Sequence, residues 1–252
     1  MKTKWRLHIM FWLAVSSFIN SGAADTLSTL DAQSLVREIE TQYQGTTSHS
    51  IMRMKVVTDV WTRELVMESW SESRDRYIAR IISPKKEEGT ATLKIGDEMW
   101  NYLPKIDRLM KIPSSLMGDS WMGSHFTNDD LVKENKIDEL YTFEIERIEG
   151  EQVSIICKPK PDAAVVWDKI IYLADYEKKM PIKIDYYDEQ GDLVRTFSFD
   201  DVRNIQGRWI PMIMKIQPID EPEESTVLVY EELEFDIKLK ENQFSISSLR
   251  RF

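Results

Sequence analysis

The sequence predicts a mainly β (α+β) protein built on one large antiparallel sheet, and three observations carry that prediction. Apolar and polar residues alternate with a period of two along about a dozen short runs from residue 52 onward. Turn residues punctuate these runs at regular spacing, as at Gly96-Asp97, Pro104-Lys105, Gly150, Asp188-Glu189-Gln190-Gly191 and Gly207. Only one long stretch shows helical spacing. Consecutive strands in such number make a large meander: a barrel, a half-barrel or a strongly curved sheet.

The elements follow in chain order. Lys2, Lys4 and Arg6 precede a mostly apolar run from Leu7 to Ile19, and Ser21-Gly22-Ala23-Ala24 supplies the small residues a signal peptidase requires. Residues 1–24 therefore read as a cleaved signal peptide, too short in its apolar part to span a bilayer comfortably. No Cys follows the cleavage position, so the mature chain, residues 25–252, is expected to diffuse freely as a single domain. Its first element is a helix. Leu35, Val36, Ile39 and Tyr43 share one face, Thr29 or Asp31 caps the start, and Gly45 follows the end.

After Gly45 the period changes to two. Met52, Met54 and Val56 alternate with Arg53, Lys55 and Val57, and Leu65, Met67 and Ser69 alternate with Val66, Glu68 and Trp70. Further runs cover 74–83, 90–95, 98–103 and 107–112. Residues 113–135 break the alternation and are rich in Ser, Gly, Asp and Met, with a short helix start at Thr127-Asn128-Asp129-Asp130. Strand patterning resumes at 141–148 and continues through runs to 238.

Composition narrows the function. Lys2, Lys4 and Arg6 account for three of the 33 basic residues, so the mature chain carries 30 against 43 acidic, a net of −13. That acidity argues against nucleic acid and against electrostatic docking on anionic lipid. Cys157 is the only cysteine, which rules out an intramolecular disulfide, and its strand-like surroundings read as buried packing. His49 and His125 lie far apart without a second ligand at metal spacing. There is no Gly-x-Ser-x-Gly elbow and no Gly-rich phosphate loop. No catalytic constellation, metal or cofactor is expected, and the protein does not read as an enzyme.

The apolar residues are more telling. The mature chain keeps ten methionines and six tryptophans, many of them on strands or in the irregular segment. Methionine adapts to varied apolar shapes, so a concave face rich in Met and aromatic residues could hold acyl chains. From composition alone, plain core is the readier account of the same residues. The candidate wall of such a cavity is Met52, Met54, Met67, Trp70, Trp100 and Tyr102. The candidate lid or plug over it is Met117, Gly118, Trp121, Met122, Gly123 and Phe126. A buried methylene is worth about 0.8 kcal/mol, so one long acyl chain costs roughly 10 kcal/mol to release into water. Such cargo needs a soluble shield to cross an aqueous space.

The irregular segment also carries a resemblance. Arg108-Leu109-Met110-Lys111-Ile112-Pro113, Ser114-Ser115 and the run Gly118-Asp119-Ser120-Trp121-Met122-Gly123-Ser124-His125-Phe126-Thr127-Asn128-Asp129-Asp130-Leu131 resemble the hallmark of the outer membrane lipoprotein-sorting protein family, whose members are similar to the LolA and LolB carriers. Trp121 stands where a Phe is usual, and His125 where an acidic residue is common. Trp100-Asn101-Tyr102-Leu103-Pro104 resembles the strand leading into that segment. The resemblance implies an incomplete β-barrel of about 11 strands wrapped over a few helices, with an apolar cavity between sheet and helices. It further implies a monomer in a Gram-negative periplasm, lipoprotein or lipid cargo, and an RND-type inner-membrane transporter as partner. A regulatory module of the same fold acting through protein contacts is the competing reading. A subunit serving an exporter, and an esterase, stand behind it.

Overall fold

The computed structural model describes residues 31–133 and 136–250, so the signal peptide expected at residues 1–24, Thr29 and the side chain of Tyr43 lie outside what is described. Helix α1 (Ala32–Gln44) forms where the spacing predicts it. The Asp31 carboxylate accepts from the Gln33 amide at 3.2 Å and caps the start. Ala32, Leu35, Val36 and Ile39 form one buried stripe along it. Gly45 ends the helix at φ 59°, and a Cβ there would meet the Phe235 ring at 3.0 Å, so both conformation and space exclude a side chain.

The sheet contains β1 (Thr47–Val57), β2 (Thr62–Glu72), β3 (Arg76–Ser83), β4 (Ala91–Ile95), β5 (Glu98–Leu103), β6 (Arg108–Lys111), β7 (Tyr141–Glu149), β8 (Gln152–Pro159), β9 (Lys169–Asp175), β10 (Met180–Tyr187), β11 (Leu193–Ile205), β12 (Arg208–Pro218) and β13 (Ser225–Phe235). Their order is β6-β5-β4-β3-β2-β1-β13-β12-β11-β10-β9-β8-β7. The first and last strands pair at the centre, and a consecutive meander extends to each side of that seam. The sheet is open, with β6 and β7 at its edges, and has thirteen strands where about 11 are expected; short strands such as the four-residue β6 pair in their own right. Two short helices, α2 (Asn128–Lys133) and α3 (Ile137–Leu140), join the halves. α1 lies against α3, β7, β10 and β12.

Register divides the side chains between two faces. Ser48, Ser50, Met52 and Met54 of β1 stand opposite Ser71, Ser69, Met67 and Leu65 of β2 and share the inner face with them. Trp70, one residue out of phase, lies on the outer face opposite Ile78. There Ile78, Ala91, Leu93 and Tyr102 form a second core closed by Leu249, with Trp70, Trp100 and Phe244 packed against it. The C-terminal helical turn Ile246–Arg250 thus covers what would be a greasy outer patch. Leu249→Ala is expected to destabilise the protein by ~2–4 kcal/mol in urea unfolding. A change below ~0.5 kcal/mol would mean that the turn does not seal this cluster.

Candidate functional site

The inner face is roofed by α1 and by the irregular segment between β6 and α2. That segment is built around two buried rings. Trp121 and Phe126 are 3% and 6% exposed and meet edge to face at 6.4 Å. The Trp121 amide donates to the Phe126 carbonyl at 2.7 Å, and its indole Nε1 donates to the Thr92 hydroxyl at 3.0 Å. Met122 takes φ 51° and Gly123 φ 69°, and Arg63 Nη1 binds the Met122 carbonyl at 2.7 Å. The left-handed pair turns the chain so that both rings face inward. Thr127 and Asp130 cap α2 reciprocally, each side chain accepting from the other's amide, at 3.1 and 2.8 Å.

Two polar latches fix this segment to the sheet. Asp130 accepts from Arg195 Nη1 at 2.9 Å and Nη2 at 2.5 Å, with both residues under 10% exposed. The Arg195 guanidinium is sandwiched among Trp167, Tyr186 and Phe197 at 4.5–4.9 Å. His125 Nδ1 lies 2.8 Å from the Thr226 hydroxyl and its Nε2 lies 3.0 Å from Glu224. This has the hydrogen-bond order of a catalytic triad. Thr226, however, has no exposed surface and neither residue lies on the cavity wall, so the arrangement acts as a clasp. Among the described residues, no group of three or more His, Cys, Asp or Glu could hold a metal. Cys157 is fully buried and burial pushes its thiol pKa up, which keeps it unreactive.

Between roof and sheet lies a cavity of ≈ 210 Å³. Met52, Phe199, Met214 and Leu228 supply its apolar wall, and Trp121 and Phe126 its cover. Ser48, Ser50, Ser69, Ser71, Arg74, Lys94 and Glu40 supply a polar wall. A second space of ≈ 40 Å³ shares Glu40, Asp130, Tyr172 and Ile184 with the first. Burial pushes the Glu40 carboxyl up to about 8, against the opposing pull of Arg74 and of the Tyr172 hydroxyl, which donates to it at 3.3 Å.

The six residues expected to form the wall are not brought together. Met52 lines the cavity. Met54 and Met67 are buried on the same face beside it, outside its wall. Trp70, Trp100 and Tyr102 fall on the outer face, because a strand sends alternate residues to opposite sides and composition does not reveal which side is concave. Of the roof residues, Trp121 and Phe126 touch the cavity, Met117 and Met122 are half-buried, and Gly118 and Gly123 are exposed. The serine row, Arg74, Lys94 and Glu40 were missed. Their only sequence signal was serine at inward-phased positions 48, 50, 69 and 71, where an ordinary core would be apolar.

A family model described as "Uncharacterized protein" matches residues 73–251. No curated protein matches the sequence significantly. Solved structures share the fold. A domain described as an outer membrane lipoprotein-sorting protein from Vibrio parahaemolyticus is 24% identical with a TM-score of 0.75, over 87% of this chain and 98% of that one. A DUF1329-family protein from Desulfovibrio piger is 21% identical with a TM-score of 0.78, over 86% and 97%. A LolA-superfamily protein from Nitrosomonas europaea is 17% identical with a TM-score of 0.71, over 87% and 100%. The open sheet with its helical roof is therefore the fold of the LolA superfamily. No described helix is long and apolar enough to cross a membrane.

Proposed function

This chain belongs to the family matched over residues 73–251 and has the LolA-superfamily fold, and from that premise we propose that it is a periplasmic carrier that shields the acyl chains of a lipid or lipoprotein. The observation that carries this reading is the cavity between the concave face and the Trp121–Phe126 roof. Residues 25–252 form the carrier as one domain, exported by the leader at residues 1–24. Receipt or delivery of cargo at an RND-type transporter is part of the proposal.

Size sets a condition on the mechanism. Ligand pockets commonly measure about 300–1,000 Å³, and ≈ 210 Å³ is too little for a complete acyl group. Admitting cargo therefore requires the site to widen, and displacement of the roof is part of the proposal. The larger and smaller spaces share Glu40, Asp130, Tyr172 and Ile184 in their walls, so displacing α2, which carries Asp130, together with the roof is proposed to join them. Release then follows when a receiving site binds the chain better, since burial supplies most of the affinity.

Leu228→Trp, which fills the apolar end, is expected to weaken binding of a fluorescent fatty acid by about tenfold or more, with the fold retained at a strain cost of ~1–3 kcal/mol. Native mass spectrometry of gently purified wild-type protein should find acyl-bearing cargo. Absence of cargo together with no uptake of the fatty acid would overturn the carrier reading.

A further inference from the structure

Resting on the carrier reading, we infer that the serine-lined end of the cavity is a head-group subsite for a phosphate-bearing lipid, with Lys94, Arg74 and the Ser48–Ser71 pair as its donors. The inner face changes chemistry along the strands. Moving along β1 against β2, the opposed pairs run Ser48–Ser71, Ser50–Ser69, Met52–Met67. Two hydroxyl pairs give way to one thioether pair in a single step, and of these residues all but Met67 line the cavity. A wall with that gradient matches an amphiphile lying along the strands, its head among the serines and its tail toward Met52 and Phe126.

A core that only needed packing would place apolar residues at Ser50 and Ser69, which are both 4% exposed. The pairs instead satisfy themselves across the strands, at 2.6 Å for Ser48–Ser71 and 2.7 Å for Ser50–Ser69. Two bonded hydroxyls use one of their two protons on each other and keep acceptor capacity besides. The Ser48–Ser71 pair can therefore present a donor to a ligand without being left unsatisfied when the cavity is empty.

Charge selects the head. The Lys94 ammonium is 1% exposed, lines the cavity and donates to the Arg74 carbonyl at 2.9 Å. Arg74 Nη1 binds Asp138 at 2.7 Å, whereas its Nη2 is buried with no hydrogen-bond partner among the described residues. Asp138 is already shared with Arg37 at 2.8 Å. Burial pushes the Glu40 carboxyl up to about 8, which favours its neutral, proton-donating form at this end. Lys94 and Arg74 thus set two cations on this part of the wall, Arg74 with Nη2 free of a hydrogen bond among the described residues, and buried cations favour a compact anion rich in oxygens. Phosphate suits such donors better than the neutral glycerol of a diacylglyceryl group. The net acidity of the chain argues against docking on anionic membrane surfaces in general, whereas Lys94 and Arg74 lie on the cavity wall.

The test uses the full mature chain, stripped of lipid, in titration calorimetry below the critical micelle concentration. The probes are lysophosphatidic acid, the monoacylglycerol of the same chain length, and inorganic phosphate. The phosphate-bearing lipid is expected to bind about tenfold more tightly than the neutral one, and inorganic phosphate at least about a hundredfold more weakly than the lipid. K94M should bring the two lipids to within about twofold, and S71A should lower the preference about threefold without shifting the melting curve. If K94M does not fold, S71A decides alone. Equal binding of the two lipids overturns the head-group assignment and leaves the carrier reading standing. Failure of both lipids to bind overturns both. Inorganic phosphate binding as tightly as the lipid, or a preference that survives both substitutions, also overturns the assignment.

Discussion

Asp130→Ala is expected to destabilise the protein by ~3–5 kcal/mol, the cost of removing one partner from a buried ion pair. Asp130 receives two guanidinium nitrogens of Arg195 and also caps α2 through the Thr127 amide. Without it, a cation stays enclosed by three aromatic rings with its counter-charge gone. For a domain of this size the melting temperature should fall by roughly 6–20 °C. The double variant Asp130→Ala/Arg195→Met should recover part of the loss, because an apolar side chain tolerates that aromatic setting and an unpaired charge does not. The same substitution frees one latch of the roof, so fatty-acid uptake should become faster at temperatures where the protein is still folded. Calorimetric melts and stopped-flow uptake measure both. A loss below ~1 kcal/mol would mean that the pair is not buried as described.

Glu40→Gln is expected to stabilise the protein at alkaline pH and to change little at about pH 5. The folded carboxyl titrates near 8, and the unfolded one near its ordinary 4.5. Between those values the native state holds a proton that the unfolded chain has released. Stability therefore falls as pH rises through that window and is lowest above about 8. The full shift would correspond to ~5 kcal/mol. Because Glu40 is only half-buried, ~2–3 kcal/mol is the expected gain for the glutamine variant at about pH 9. Glutamine keeps an acceptor for the Tyr172 hydroxyl and removes the charge. The carboxylates held low by partners, such as Asp138 by its two arginines and Asp236 by Arg208, act in the opposite sense: their contribution is present above about pH 4 and lost on acidification. The two effects occupy separate pH ranges. Urea unfolding of both proteins at about pH 5 and pH 9 decides the matter, and parallel pH profiles would show that Glu40 is not the group responsible.

Local chemistry was legible along the chain. The face Leu35, Val36, Ile39 with its Asp31 cap, the period-two runs and the Thr127–Asp130 start of α2 each depend on neighbours within a few residues. The irregular 113–135 segment stood out because nothing in it alternates, and its Trp121 and Phe126 line the cavity.

By itself, then, the sequence determined the class of the fold, the order of its elements and the position of the roof segment, since these follow from short-range periodicity and turn residues. Only the tertiary structure decided which phase of each strand faces inward. Pairing β1 with β13 and laying the C-terminal turn over the other face made one set of aromatics an outer core and left serines, Arg74 and Lys94 on the cavity wall. The physical reason is that alternation defines two faces without labelling them. The label comes from contacts more than a hundred residues apart, such as Arg37 with Asp138 and His125 with Thr226, which no local pattern encodes.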